Sequence, residues 1–378
     1  MWWMRLVVAA SLATSLWMYV EFKVLDSYVL SRSLLSETGF FAVVSLVALG
    51  LAKFAILRFF FSRARRARAL SISSAILALL ALTSLLLMLG DVESEHSLLL
   101  LYAFSSLAQA LIMPALFTTI LEGVDVGEWA KAIAAFYALV SSGVLLLALA
   151  SSLFSPLLFT AVLAIACSAL ILSSSSLVAT PPVPSSSIKT ISLFLEGLDY
   201  VMEGGRPEVF SERRVYLETL KFSIVIAAMA SLRITVLSSI PASDKHLAIA
   251  FFSLGSLLGS IASSLITGFL PAYVTALSAL VASYTGLISS HSSLVQLLLV
   301  GAAMMLAQIA LVEFVLDKRP RETLRVLAIT SWLTIAATAL STLLITNYGV
   351  VALLLATSTA PLAITLLGAR RRELERSY

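Results

Sequence analysis

The chain has 378 residues, 60% of them hydrophobic and only 12% charged, and its mean hydropathy is +1.02. Soluble domains are about half apolar and a quarter charged, so the bulk of this chain is excluded from being a water-soluble enzyme or nucleic-acid binder. The net charge of +4 has to be understood through where the charges fall, and the one cysteine, Cys167, excludes both a disulfide framework and a thiolate metal cluster.

A helix needs about 20 mostly apolar residues to cross a hydrocarbon core about 30 Å thick. Such stretches are predicted at 5–24, 38–59, 69–90, 97–121, 132–153, 156–173, 219–239, 246–268, 271–289, 293–315, 324–345 and 348–368. The first follows Met1-Trp2-Trp3-Met4-Arg5, as a secretory signal would, but Glu21, Phe22 and Lys23 close it without a small-residue cleavage pattern. It is therefore expected to be a retained span.

An even number of spans puts both termini on one side, and Arg and Lys should then gather in alternate connections. On the expected cytoplasmic side fall Arg5; Arg58, Arg63, Arg65, Arg66 and Arg68; Lys131; Lys189, Arg206, Arg213, Arg214 and Lys221; Lys318, Arg319, Arg321 and Arg325; and Arg370, Arg371, Arg372 and Arg376. These are 20 of the 25 basic residues. Lys23, Arg32 and Lys245 fall outside, with the acidic Asp91, Glu93 and Glu95 and all three histidines, while Lys53 and Arg233 fall within spans. A miscounted helix would scramble this asymmetry downstream, so the bias supports twelve spans, cytoplasmic termini and a place in the cytoplasmic membrane.

The connection from Ser174 to Glu218 is longer than the others. It opens on a serine run and Pro181-Pro182-Val183-Pro184 and ends in Ser211-Glu212-Arg213-Arg214. Ile188, Ile191, Leu195, Leu198 and Met202 recur at helical spacing within it, which predicts a helix lying along the cytoplasmic surface. The expected organisation is a six-helix bundle over 1–173, a central loop over 174–218 and a second six-helix bundle over 219–378. The halves also echo each other: a charged connection follows the fourth span of each, Leu121-Glu122-Gly123-Val124-Asp125 through Lys131, and Leu316-Asp317-Lys318-Arg319-Pro320 through Arg325. Internal repetition of this type builds many transporters.

With this layout the chain resembles the major facilitator superfamily over its whole length. After the second span, Arg58-Phe59-Phe60-Phe61-Ser62-Arg63-Ala64-Arg65-Arg66-Ala67-Arg68 stands where that family carries a short loop rich in Gly, Asp and Arg. Arg63, Arg66 and Arg68 match its basic elements; its glycines and aspartate are missing, with Ser62 at the acid's place. Pro114 through Glu122, then Gly127-Glu128-Trp129-Ala130-Lys131, is similar to the family's proline-containing fourth helix with its acidic exit. Asp317, Pro320, Arg321, Glu322 and Arg325 are the counterpart. The fifth span holds only Gly143, without the glycine-rich proline motif of the family's drug/proton antiporters. The resemblance implies a fold of two six-helix bundles and a cytoplasmic gate in which Arg63, Arg66 and Arg321 meet Glu122, Asp125 and Asp317. It also implies a central path lined by the first, fourth, seventh and tenth helices.

Charged groups at membrane depth cost about 2.5–3.5 kcal/mol each on insertion scales, so each needs a partner, a watery cavity or a route to the interface. Glu21 shares a helical stripe with Ser11, Thr14 and Met18 and is suited to binding a cation or accepting a proton; its bland alternative is pairing with Lys23 or Arg32 at the interface. Arg233 sits at the corresponding depth of the seventh span, where its planar fork suits an anionic solute or Glu21 itself, or its stem snorkels outward. Lys53 and Glu313 lie close enough to cytoplasmic charge to snorkel. Gln109 and Gln308 stand near mid-depth of the fourth and tenth spans, with Tyr137 and Trp332 on the spans that follow, either as solute contacts or as hydrogen bonds between helices. Gly255, Gly259, Ser260, Ser263 and Ser264 make one face of the eighth span small, which predicts close helix packing. Met304 and Met305 are expected to be filler or lipid-facing.

The sequence contains no glycine-rich phosphate loop with lysine, and His96, His246 and His291 are isolated. No enzymatic activity, cofactor, metal or nucleic-acid partner is expected. The expected function is secondary active transport of a small solute by alternating access, with Glu21 as the candidate for proton coupling and a monomer in lipid as the working unit. Two alternatives stay open: a non-transporting scaffold or sensor, and a lipid-handling membrane enzyme.

Overall fold

The computed structural model describes residues 3–30, 63–90, 95–124, 129–150, 155–179, 212–265, 270–288, 294–318, 326–327, 329–334, 336–338 and 358–366. These residues are helical with short turns, and no strand occurs among them. The helices are α1 (Trp3–Leu30), α2 (Arg63–Leu89), α3 (Glu95–Gly123), α4 (Trp129–Ala150), α5 (Pro156–Ala179), α6 (Glu212–Ser239), α7 (Lys245–Leu265), α8 (Ala272–Ile288) and α9 (Leu294–Lys318). A 3-10 turn, Ala242–Asp244, joins α6 to α7. Helical residues at 326–338 and 358–366 fall within the eleventh and twelfth expected spans, whereas the span expected at 38–59 and the surface helix expected at 188–202 lie outside the described residues. Eight of the nine long helices are long and apolar enough to cross a membrane, and α8 is a shorter apolar one.

Three expected boundaries are corrected. The serine run, assigned to the central connection, is helical: Ser173, Ser174, Ser175 and Ser176 belong to α5, and each hydroxyl donates to a carbonyl three or four residues back at 2.7–2.8 Å. The basic run after the second span is also helical from Arg63, so Arg66 and Arg68 sit in the opening turns of α2. At the far side of the central connection, Glu212, Arg213 and Arg214 form the first turn of α6. Long side chains with good helix propensity extend the helices beyond the apolar windows that mark the spans.

The same back-bonding recurs in the core. Ser11 donates to the Val7 carbonyl at 2.7 Å, Ser84 to Leu80 at 2.9 Å, Thr119 to Ala115 at 2.6 Å and Ser253 to Ile249 at 2.8 Å. In a medium without water each hydroxyl must find an acceptor, and the carbonyl one turn back is always within reach. Hydroxyls also join helices. Ser74 and Ser168 each donate to the other's backbone carbonyl at 2.9 Å between α2 and α5, and Ser223 meets Thr330 at 2.9 Å between α6 and the 326–338 helix.

Small residues set the closest contacts, as the sequence predicts for the eighth span. A Cβ on Gly255 would strike the Leu298 carbonyl, one on Gly259 would lie 2.6 Å from the Ala302 oxygen, and one on Gly301 would strike the Phe252 carbonyl. These three glycines bring the backbones of α7 and α9 into direct contact. Gly143 of α4 likewise leaves room only for Ser15 of α1, whose hydroxyl donates to the Val140 carbonyl at 2.9 Å.

Helix α2 packs chiefly on α5, and α7 on α9 and α4. The buried apolar residues form two clusters, one centred on α1 to α5 and one on α6 to α9. Each takes residues from the other side: Phe22, Val144 and Ala148 join the second, and Met305, Ile309 and Val312 join the first. Leu79, Leu82 and Leu86 on α2 and Val162, Ile165 and Leu172 on α5 are exposed, which suits hydrocarbon and not water.

Candidate functional site

A cavity of about 150 Å³ lies where α1, α3, α4, α6, α7, α9 and the 326–338 helix converge. Its size falls below the roughly 300–1,000 Å³ of sites for drug-sized ligands, so it suits a small solute. Thr14, Trp17, Met18 and Glu21 face it from α1; Gln109, Ala110, Met113 and Phe117 from α3; Tyr137 and Val140 from α4. Ile226 and Arg233 come from α6, Phe252 from α7, Met304, Met305, Gln308 and Leu311 from α9, and Leu327, Thr330, Ser331 and Thr334 from the 326–338 helix. Thr14, Met18 and Glu21 follow the spacing of one helical face, which is why that stripe was legible in sequence.

Glu21 and Arg233 meet in this cavity. Arg233 Nη2 donates to Glu21 Oε1 at 3.3 Å, and the side chains are 2% and 14% exposed, respectively. Burial of both members makes the pair consequential, because neither charge has bulk water to fall back on. The guanidinium packs against a pair of rings, with its Cζ 4.9 Å from the centre of Phe22 and 5.6 Å from that of Phe252, and the rings stand edge to face at 5.2 Å. Cation–π attraction thus fixes Arg233 where its stem would otherwise be free to snorkel. Its Nε has no acceptor among the described residues. Glu21 and Arg233 are the lining residues furthest along α1 and α6, so the pair marks one end of the cavity.

Deeper in, Gln308 Nε2 donates to the Tyr137 hydroxyl at 2.9 Å, a second polar link between helices from opposite ends of the chain. Gln109 lines the wall and makes no hydrogen bond among the described residues. Beside it, Pro114 stands inside α3 and has no N–H to give, so the carbonyl of Ala110, also on the wall, lacks its usual intrahelical donor. Thr118 accommodates the same proline by donating to the Pro114 carbonyl at 2.6 Å. Behind the wall, Trp17 Nε1 donates to Ser106 Oγ at 2.9 Å.

Trp332 is not on this wall. It is 38% exposed, and its neighbour Ser331 and, two residues on, Thr334 face the cavity instead. One residue turns a helix by about 100°, so Trp332 is carried to the outer surface. Met304 and Met305, expected as filler or lipid-facing, are buried and line the cavity. Phe22 and Phe252, which pack against Arg233, were not singled out in the sequence; an aromatic residue beside a buried charge was the only signal available.

Of the residues expected to form a cytoplasmic gate, only the side chain of Arg66 is described. Arg63 lies in the first turn of α2, Glu122 near the end of α3 and Asp317 near the end of α9. Arg66 is buried at 1% exposure. Asp125 and Arg321 lie outside the described residues, as does Lys53. Glu313 is half-buried on α9 and does not face the cavity.

No protein-family model matches the sequence, and neither does any curated protein. Solved structures do match. The xylose transporter XylE from E. coli in a partially occluded inward-open conformation aligns over 98% of this chain and 99% of its own, at 12% identity and a TM-score of 0.63. The human organic anion transporter MFSD10 aligns over 96% and 97% at 15% identity and 0.61. The proton:xylose symporter XylE bound to 6-bromo-6-deoxy-D-glucose aligns over 98% and 95% at 11% identity and 0.66. With nearly full coverage in both directions and no strand among its described residues, this chain is an all-α, multi-pass membrane protein with the fold of the major facilitator superfamily.

Proposed function

We propose that the chain is a secondary transporter that moves a small solute by alternating access, its two six-span halves, one closing with α5 and the other opening with α6, rocking about the cavity. The observation that carries this reading is the buried Glu21–Arg233 pair, which spans the two halves inside a cavity lined from both. With both termini in the cytosol, the pair and the Phe22–Phe252 contact close the outer end, and the solute approaches from the inner side. Opening outward requires the pair to separate, and a proton on Glu21 removes the attraction that opposes it. This makes Glu21 the coupling residue. The fold shared with a proton:xylose symporter and an organic anion transporter supports the reading.

Two measurements test it. Spin labels placed at the carboxyl ends of α1 and α6, with Cys167 replaced, should report two separations whose balance moves with pH. A single separation under all conditions would make the protein a scaffold with this fold. In proteoliposomes, an imposed pH gradient should drive solute accumulation, and E21Q should leave only downhill exchange. Turnover of a lipid headgroup without solute movement would favour the membrane-enzyme alternative.

A further inference from the structure

We propose that the solute is a small organic carboxylate with an apolar, ring-bearing body, its carboxylate taking Arg233 as Glu21 gives way. The inference rests on the transporter reading for its purpose, and on the cavity alone for its chemistry.

Arg233 is the cavity's unfinished donor. A guanidinium carries five N–H groups, yet the buried Arg233 engages Glu21 through Nη2 alone, and its Nε meets no acceptor among the described residues. The 3.3 Å contact is longer than the about 2.7–2.9 Å of a strong charge-assisted bond. Phe22 and Phe252 pack side by side against the guanidinium from one direction, so the rest of its donor fork is what a ligand can reach. An incoming carboxylate can accept two parallel N–H groups where Glu21 accepts one.

The rest of the wall describes the body of the ligand. Met18, Met113, Met304 and Met305 line it with Trp17 and Phe117, a set of thioethers and rings. Thioethers adapt to irregular shapes and favour contact with aromatic rings. A polyol is poorly served. Thr330 donates to the Val326 carbonyl at 2.9 Å, Thr334 to the Thr330 carbonyl at 2.8 Å, and Thr14 points at the Met113 sulfur at 3.9 Å. Gln308 gives one N–H to Tyr137, and Gln109, Ser331 and the Gln308 oxygen are left as a few neutral contacts. A cation is no better served, because Glu21 is the only acidic residue on the lining among the described residues and is already neutralised by Arg233.

Charge balance ties the carboxylate to a proton. Arg233 and Glu21 together are neutral; a second carboxylate leaves one negative charge in a poorly solvated space, and a proton on Glu21 cancels it. Among the described residues, the titratable and charged groups around Glu21 are Arg233 from α6, Tyr102 from α3 within electrostatic reach, and Lys23 on α1, whose Nζ lies over the Tyr19 ring at 5.7 Å. No other group on the lining carries a compensating charge. The carboxylate and the proton therefore enter as a pair.

The test compares three near-isosteres on the detergent-purified protein by thermal stabilisation: phenylpropanoate, phenylpropanamide and phenylpropylamine. The carboxylate should raise Tm saturably, more strongly as pH falls, and the other two should not. R233K, which keeps the charge but loses the fork, should weaken the carboxylate about ten- to hundredfold. E21Q, which removes the competitor and keeps the guanidinium, should tighten it severalfold and flatten its pH dependence; a folding defect would not produce tighter binding, so E21Q decides the matter if R233K does not fold. Equal stabilisation by the amide or the amine overturns the proposal, as does stabilisation by xylose with none by the carboxylate, or E21Q binding that matches the parent protein. Carboxylate binding without movement across proteoliposomes sinks the transporter reading and leaves this assignment standing. Movement of a sugar or an amine does the reverse.

Discussion

Tyr137 accepts a hydrogen bond from Gln308 at 2.9 Å, so a hydroxyl on α4 and an amide on α9 meet across the cavity wall. Such bonds between membrane helices average about 0.6 kcal/mol and reach about 1.7 kcal/mol. Y137F should lower thermal stability by that small amount while leaving the ring in place against Phe136, whose centre is 5.1 Å away. Q308L should cost more, because it leaves the Tyr137 hydroxyl buried without its partner. Unfolding curves of the two variants side by side check the order.

The Glu21–Arg233 pair should be non-additive. E21Q strands a buried guanidinium and R233M strands a partly buried carboxylate, and breaking such a pair from one side costs about 3–5 kcal/mol. The double variant E21Q/R233M removes both charges together and should recover most of that stability, with no recovery of coupled uptake. A double-mutant cycle in thermal stability, run beside uptake, separates the two effects. If the double variant is as unstable as the sum of the singles, the residues do not interact energetically.

A series at the glycines should follow what each Cβ meets. G259A and G301A push against the backbone of the facing helix, which cannot rotate aside, and should each cost about 1–3 kcal/mol. G143A displaces the Ser15 hydroxyl and also meets the Ser15 Cβ at 2.8 Å, which no rotamer change moves, so it too should cost about 1–3 kcal/mol. Losses well below that at all three positions would mean that the facing helices are free to separate.

Replacing Pro114 with Ala returns an N–H to the Ala110 carbonyl. Stability should rise, by up to about 3 kcal/mol if α3 straightens without other strain, while the cavity wall around Gln109 and Met113 shifts. Turnover should fall as stability rises. Paired Tm and initial-rate measurements on P114A check both directions.

Much of the fold was legible because lipid imposes length and composition on every crossing. Glu21, Arg233, Gln109, Gln308 and Tyr137 stood out for a related reason: a polar group at membrane depth is costly, so its presence marks a site. The facing of side chains was less legible. Helices such as α3 and α5 are apolar all round and carry no phase that distinguishes a lipid face from a cavity face. The sequence therefore turns Trp332 inward in place of Ser331 and Thr334, and offers Met304 and Met305 only as filler or lipid-facing residues, whereas both line the cavity. The serine run of α5 was misplaced for a different reason. Hydroxyl composition marks a turn in water, but inside a membrane helix the same hydroxyls bond one turn back.

That back-bonding bears on biogenesis. Ser11, Ser84, Thr119 and Ser253 each satisfy their hydroxyl on the helix that carries them, before any neighbour arrives. A nascent span can therefore leave the translocon alone, without waiting for a later one to shield its polar groups. The Glu21–Arg233 contact instead joins residues synthesised 212 positions apart. During synthesis that carboxylate, near the end of its span, has to stay at the water interface until α6 emerges with its guanidinium.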